Sequence, residues 1–165
     1  PWDVVARDCG QDLEAEQNHN PRLYKSHESA DTIAKGARYI YVARNPADAF
    51  ASFYKFLPAY MHVGGLSVDA FAEGIFGGLS HSGGIWDHFL SWHSANHDIL
   101  WLFYEDVKED PAREIAKIAK FMGVEVDSAA VERVREATTI SAMAARGSVF
   151  DDHFVFDRLK KQMDF

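Results

Sequence analysis

Two stretches of the chain are apolar with no polar face. Residues 37–43, ARYIYVA, and residues 98–106, DILWLFYED, are rich in β-branched and aromatic side chains. Strands buried on both sides in a parallel sheet have this composition, so each run predicts such a strand. Just after the first run, Asn45 is a good N-cap, Pro46 suits the first helical position, and Asp48 stands three residues past the cap. Phe50, Phe53, Tyr54 and Leu57 then recur at helical spacing. A strand followed at once by a capped helix is a βα unit. After the second run, EDPAREIAKIAKFMG carries Pro111 just inside its start and Gly123 just past its end, the expected bounds of a helix.

Between these units the pattern is looser. Residues 1–20 include a polar stretch with little period, CGQDLEAEQNHN, which reads as loop or a short helix. RLYKSH, Arg22 to His27, reads as a short strand with polar ends. LPAYMHVGGLS reads as a loop and SVDAFAEGIFGG as a short helix between glycines. GGIWDHFLSWHSAN places Ile85, Phe89 and Trp92 on one helical face, and SAAVERVREAT is a last amphipathic helix. Strands alternating with helices predict an α/β fold, a parallel β-sheet flanked by helices on both faces. The 165 residues suit one domain, 1–165, with a sizeable core. Ligands of such sheets sit beyond the carboxyl ends of the strands, which singles out His27, Arg44 and Tyr104.

Composition narrows the partners. Apolar content of 47% and aromatic content of 13% argue against disorder. A net charge of −8 argues against nucleic acid or an anionic membrane surface, while a local basic pocket for a small anion stays compatible with it. Cys9 is the only cysteine, so no intrachain disulfide can form, and a reducing, cytoplasmic setting is the simpler reading. No apolar run approaches the roughly 18 residues of a membrane span. The chain starts at Pro1 rather than methionine, so a longer parent is expected.

Arg44 follows the first strand and precedes a helix whose opening N–H groups are expected to lack partners. Such a terminus favours an anion, and a guanidinium adds paired, charge-assisted hydrogen bonds to phosphate oxygens. Ser52, two turns along, can donate one more. Equally, Arg44 can pair with Asp48 and Ser52 can face neighbouring backbone. Lys25 and His27 alternate along the predicted strand and so share a face. A neutral imidazole can take a proton from an attacking hydroxyl while an ammonium stabilises charge on a transferred or leaving group. An unperturbed histidine, with a pKa of about 6.5, is mostly neutral at pH 7. A structural role for His27 is the alternative. His19, His27, His88, His93 and His97 lack zinc-site spacing, and no Walker loop or Gly-x-Gly-x-x-Gly turn is present.

These residues together resemble the cytosolic sulfotransferases, which move a sulfuryl group from 3′-phosphoadenosine 5′-phosphosulfate (PAPS) to a hydroxyl or amine. PRLYKSH looks like that family's Pro-Arg-x-x-Lys-Thr-His strand. YIYVARNPADAFASFYKF is similar to its Tyr-Val-x-Arg-Asn-x-x-Asp-x-x-x-Ser segment. LWLFYEDVKEDPAREIAKIAKFMG resembles its Leu-Tyr-Glu-Asp-x-Lys-x-Asp-Pro segment, and ATTISAM its Thr-Ser-Phe-x-x-Met run. The blocks occur in family order from about Pro1 to Met143. The resemblance implies a P-loop-like sulfotransferase fold, His27 as catalytic base with Lys25 beside it, and Lys25, Ser26 and His27 near the acceptor. It also implies Arg44 and Ser52 on the cofactor's 3′-phosphate, Tyr104 on the adenine, and Thr138, Thr139, Ile140 and Met143 lining the nucleotide pocket. PAPS is the implied co-substrate, with no metal.

Departures from the family pattern matter as well. Ser26 stands for threonine, Glu28 and Ser29 for Leu-Pro, and Ile140 for phenylalanine. The family's Pro-Lys-Ser-Gly-Thr-Thr-Trp loop for the 5′-phosphosulfate and its Arg-Lys-Gly segment are absent from the 165 residues. Arg146 and Gly147 come too early for the latter. The expectation is an active parent enzyme of which this segment alone lacks full activity. A nucleoside or small-molecule kinase and a non-catalytic nucleotide-binding relative are the alternatives. The acceptor is expected to be a small molecule; Tyr60, Phe56 and Phe76 either line its pocket or pack the core. A homodimer through further C-terminal residues is also implied.

Overall fold

In the computed structural model, residues 39–43 and 99–103 form two parallel strands, β1 (Tyr39–Ala43) and β2 (Ile99–Phe103), in register from Tyr39↔Ile99 to Ala43↔Phe103. The ladder opens where the Tyr39 N–H donates to the Asp98 carbonyl at 2.9 Å. Parallel partners need a long crossover, usually helical. Here it carries α1 (Pro46–Tyr60), α2 (Val68–Phe76) and α3 (Ile85–Ser94). The described residues are Ala6, 10–60, 65–77, 83–147, Asp157, Lys160 and Lys161. Contacts divide the chain into two compact units, residues 27–110 and residues 1–26 with 111–165.

In the 27–110 unit, period-2 alternation sends Tyr39, Tyr41 and Trp101 to one face of the sheet. Helix α3 packs there. Trp92 lies 5.1 Å from Tyr39 and 5.9 Å from Tyr41 between ring centroids, and Phe89 lies 5.6 Å from Trp101. Trp92, 5% exposed, joins Ala30 and Tyr39 as the buried centre, with Ile33, Tyr41, Ala95, Ile99 and Trp101 packed around it. Full burial of one such large side chain is worth about 2–3 kcal/mol. The Ile85, Phe89 and Trp92 stripe thus packs as its spacing predicts. Phe50 and Tyr54 of α1 meet Phe71 of α2 at 5.5 and 5.4 Å.

The opposite face of the sheet is unevenly covered within this chain. Leu102 is 3% exposed, whereas Ile40 is 39% and Val42 59% exposed in this chain. β2 stops earlier than its apolar run, because a ladder needs a partner. Beyond Ala43 the chain turns through Arg44 and Asn45 to Pro46, which has no N–H. Tyr104 instead begins the short helix α4 (Tyr104–Glu109).

Two other segments depart from the pattern. Residues 22–27 show a single bridge at Lys25 rather than a strand. Their polar ends bring no ladder neighbour among the described residues. The stretch read as a loop from Leu57 is helical through Tyr60, since α1 carries its hydrophobic spacing on through Leu57 and tolerates Pro58; residues 61–64 lie outside the described set.

In the other unit, α5 (Pro111–Met122) ends on Gly123 at φ +73°, where the Val124 N–H donates to the Ala119 carbonyl and the Gly123 N–H to that of Lys120. This left-handed helix stop suits glycine. α6 (Ser128–Ala137) starts under an Asp127 cap whose carboxylate accepts the Ala130 N–H at 2.6 Å. It is not the last helix: α7 (Ile140–Ala144) follows, capped by the Thr139 hydroxyl.

Glu114 of α5, 2% exposed, accepts from Lys117 Nζ at 2.7 Å and Arg113 Nε at 2.8 Å. The Lys117 hydrogen bond foremost, then that of Arg113, holds its carboxyl below the usual carboxylate range. A depressed folded pKa means the stabilisation is complete above the unfolded value of about 4.3 and is lost as pH falls through the folded value. Urea midpoints should therefore drop as pH is lowered from 5 to about 3. Glu114→Gln should lower the midpoint at pH 7 and flatten that drop; an unchanged slope would contradict the ion-pair assignment.

Candidate functional site

Because Ala43 faces Phe103, the residues leaving the two strands emerge side by side. The Arg44 guanidinium carbon lies 4.5 Å from the centroid of the Tyr104 ring and above it. One residue on, the Asn45 N–H donates to Glu105 Oε1 at 2.9 Å. Two contacts thus cross-link the strand exits. The Asn45 amide first, then Glu105's own backbone N–H and the Arg44 guanidinium, hold the Glu105 carboxyl below the usual carboxylate range.

Helix α1 opens as its sequence predicts, with one correction. Asn45 is the cap: its Oδ1 accepts the Ala47 N–H at 2.9 Å and its carbonyl accepts the Ala49 N–H at 2.9 Å. With the Asn45 N–H on Glu105 and no N–H on Pro46, most of the opening donors expected to face an anion are already satisfied. Glu105 itself supplies the negative charge that a helix N-terminus favours. Arg44 and Ser52 remain as donors. Among the described residues Arg44 forms no ion pair with Asp48, and Ser52 Oγ, exposed on α1, makes no hydrogen bond. A guanidinium stacked on a phenol keeps its planar N–H edges for a phosphate or sulfate.

His27 opens this unit and is exposed. Without a strand over 22–27, pleat alternation does not place it on one face with Lys25. What the structure supplies is an anchor just after it. Trp92 Nε1 donates to the Glu28 carbonyl at 3.1 Å, His88 Nε2 lies 3.0 Å from the same oxygen, and the Ala30 N–H donates to Ser91 Oγ at 3.1 Å. His88, Ser91 and Glu105 escaped sequence reasoning. A polar residue on the Ile85–Phe89–Trp92 stripe was the available signal for His88, and an acidic residue just after the second apolar run, at the same offset as Asn45 after the first, was the signal for Glu105.

The acceptor aromatics divide. Phe76 stacks on Phe50 at 5.6 Å, while Phe56 is exposed on α1; the side chain of Tyr60 lies outside the described set. Among the described residues no group of three or more His, Cys, Asp or Glu side chains is arranged to hold a metal ion.

The other unit carries Lys25, which is exposed, and Ser26, which is half-buried. It also carries the 138–143 run. The Thr138 hydroxyl donates to the Val134 carbonyl at 2.8 Å and that of Thr139 to the Glu136 carbonyl at 2.9 Å, so both finish α6. Ile140 is 78% exposed and Met143 is exposed. Arg146 Nη2 donates to the Ala137 carbonyl at 2.9 Å, which ties it to the end of α6.

Comparison with known proteins fits this geometry. Residues 6–157 match the sulfotransferase domain. Over 131 residues the chain is 35% identical to cattle (Bos taurus) sulfotransferase 1A1, covering 74% of this chain and 44% of that protein. Over 132 residues it is 32% identical to human sulfotransferase 1C2, covering 75% and 45%. It superimposes on mouse sulfotransferase SULT7A1 complexed with PAP at a TM-score of 0.64, with 27% identity over 72% of this chain and 46% of that one. For retinol dehydratase in a complex with retinol and PAP the TM-score is 0.63, with 25% identity over 79% and 40%. The chain spans less than half the length of these curated relatives. Because residues 6–157, nearly the whole of this chain, match the family's domain, the chain belongs to the sulfotransferase family.

Proposed function

We propose that the protein containing this chain is a PAPS-dependent sulfotransferase acting on a hydroxyl or amine of a small molecule, with His27 as general base. The observation that carries this reading is the cross-linked pair of strand exits, where Arg44 stands over Tyr104 at the carboxyl edge of the parallel sheet. Arg44 and the Ser52 hydroxyl bind the ribose 3′-phosphate, and Tyr104 offers a flat aromatic surface to the adenine. The PAP in both structural neighbours supports a 3′-phosphorylated adenosine ligand, and the retinol in one of them supports a small alcohol as acceptor.

The chemistry is an in-line displacement at sulfur. The acceptor oxygen attacks as neutral His27 takes its proton. The new S–O bond forms while the bond from sulfur to the phosphate oxygen breaks, and the bisphosphate leaves with that electron pair. Lys25, two residues before His27 in sequence, supplies positive charge for the group being transferred. Arg44 and Ser52 hold the nucleotide so that the sulfuryl group is presented to the acceptor, which removes much of the entropic cost of encounter.

Two substitutions test the roles separately. His27→Ala in the active protein should lower turnover with PAPS by about 10²–10⁴-fold while the bisphosphate product still binds; wild-type turnover would refute the base. Arg44→Ala should weaken 3′-phosphoadenosine 5′-phosphate by about 10–100-fold, as expected for lost charged hydrogen bonds, with a much smaller effect on AMP. Equal losses for the two nucleotides in calorimetry would refute the 3′-phosphate role.

A further inference from the structure

The Glu28 carbonyl is gripped by one face of α3. A carbonyl oxygen only accepts, so the Trp92 indole and His88 Nε2 both point hydrogens at it. The other ring nitrogen, Nδ1, is hydrogen-bonded to the Tyr41 hydroxyl at 3.2 Å. Burial pushes the Tyr41 phenol above its ordinary pKa. Two residues further, the Ala30 N–H donates to Ser91 Oγ, whose own proton goes to the His88 carbonyl at 2.8 Å. The Ala30 methyl is buried with Tyr39 and Trp92. The segment is tightened locally by the Thr32 hydroxyl on Glu28 Oε2 and the Lys35 ammonium on the Ala30 carbonyl.

An irregular segment is therefore fastened to helix α3 across more than 60 residues of sequence, and through His88 and Tyr41 to strand β1. The residue immediately before the first gripped carbonyl is His27. We infer that His88 and Trp92 are positioning residues for sulfuryl transfer: by holding the Glu28 carbonyl they set the backbone from which His27 projects. This rests on the proposed role of His27 as base. A general base must sit within hydrogen-bond reach of the acceptor proton, and displacement by about 1 Å can cost up to a hundredfold in rate. Each acts through the peptide that follows His27.

Three substitutions dissect the grip. Trp92→Phe keeps an aromatic ring in the core and deletes the indole N–H. His88→Ala deletes the other donor, and His88→Gln returns an amide N–H close to the position of Nε2. Each is made in the active protein beside His27→Ala, with turnover of PAPS and 4-nitrophenol, calorimetric affinity for the bisphosphate, and amide exchange at residues 28–30 as readouts. Trp92→Phe and His88→Ala should each cut kcat about tenfold or more and speed exchange at 28–30, leave bisphosphate affinity within about twofold, and be partly reversed by His88→Gln. Turnover within about twofold of wild type in both variants overturns the positioning role, as does a parallel loss of bisphosphate affinity that marks general unfolding. If His27→Ala itself turns over like wild type, the base assignment falls and the positioning role with it. If only His27→Ala is impaired, the positioning role alone is lost.

Discussion

The in-register parallel ladder between β1 and β2 is the constraint on which the site depends. It brings Arg44 beside Tyr104 and Asn45 beside Glu105, although the second pair is 60 residues apart in sequence. A slip of one residue would turn Tyr41 or Trp101 away from α3 and also separate the guanidinium from its ring. The packing that stabilises the sheet and the contacts that shape its exit therefore select the same register. The aromatic side chains between sheet and α3 carry the energetic weight of that choice, since exposed polar contacts such as the Arg38–Asp98 ion pair add little.

Charge at the exit is arranged economically. In a chain of net charge −8, the turn after β1 combines one cation with a carboxylate that already occupies the helix N-terminus. Glu105 satisfies the Asn45 amide and orders the turn. The cation is left stacked and exposed rather than spent on Asp48. In the proposed site an anion at this turn would meet side chains, the fork of Arg44 and the hydroxyl of Ser52, more than backbone amides. On that proposal, selectivity for a nucleotide phosphate would rest on the geometry of two side chains that β1 and α1 fix separately.

The βα unit at residues 39–60 was legible because its signals are local. Apolar β-branched residues, an asparagine cap, a proline at the first helical position and a 3.6-residue period all lie within one window. The α5 boundaries at Pro111 and Gly123 were legible for the same reason. The strand over 22–27 failed because a strand is defined by its partner, which no local window contains. The site divides in the same way: Arg44, Ser52, His27 and Tyr104 stood out by type and place, whereas Glu105 and His88 act only through long-range partners.

The central claim is that the exit of this ladder binds the 3′-phosphate through Arg44 and Ser52 while Tyr104 meets the base. The most direct measurement is a backbone amide NMR titration of the protein with 3′-phosphoadenosine 5′-phosphate and, separately, with AMP. The account predicts that both nucleotides shift the resonances around Tyr104, and that only the 3′-phosphorylated one shifts those of Arg44 and of the helix around Ser52. Shifts at Arg44 and Ser52 that are the same for both nucleotides, or confined to residues remote from the ladder's exit, would contradict it.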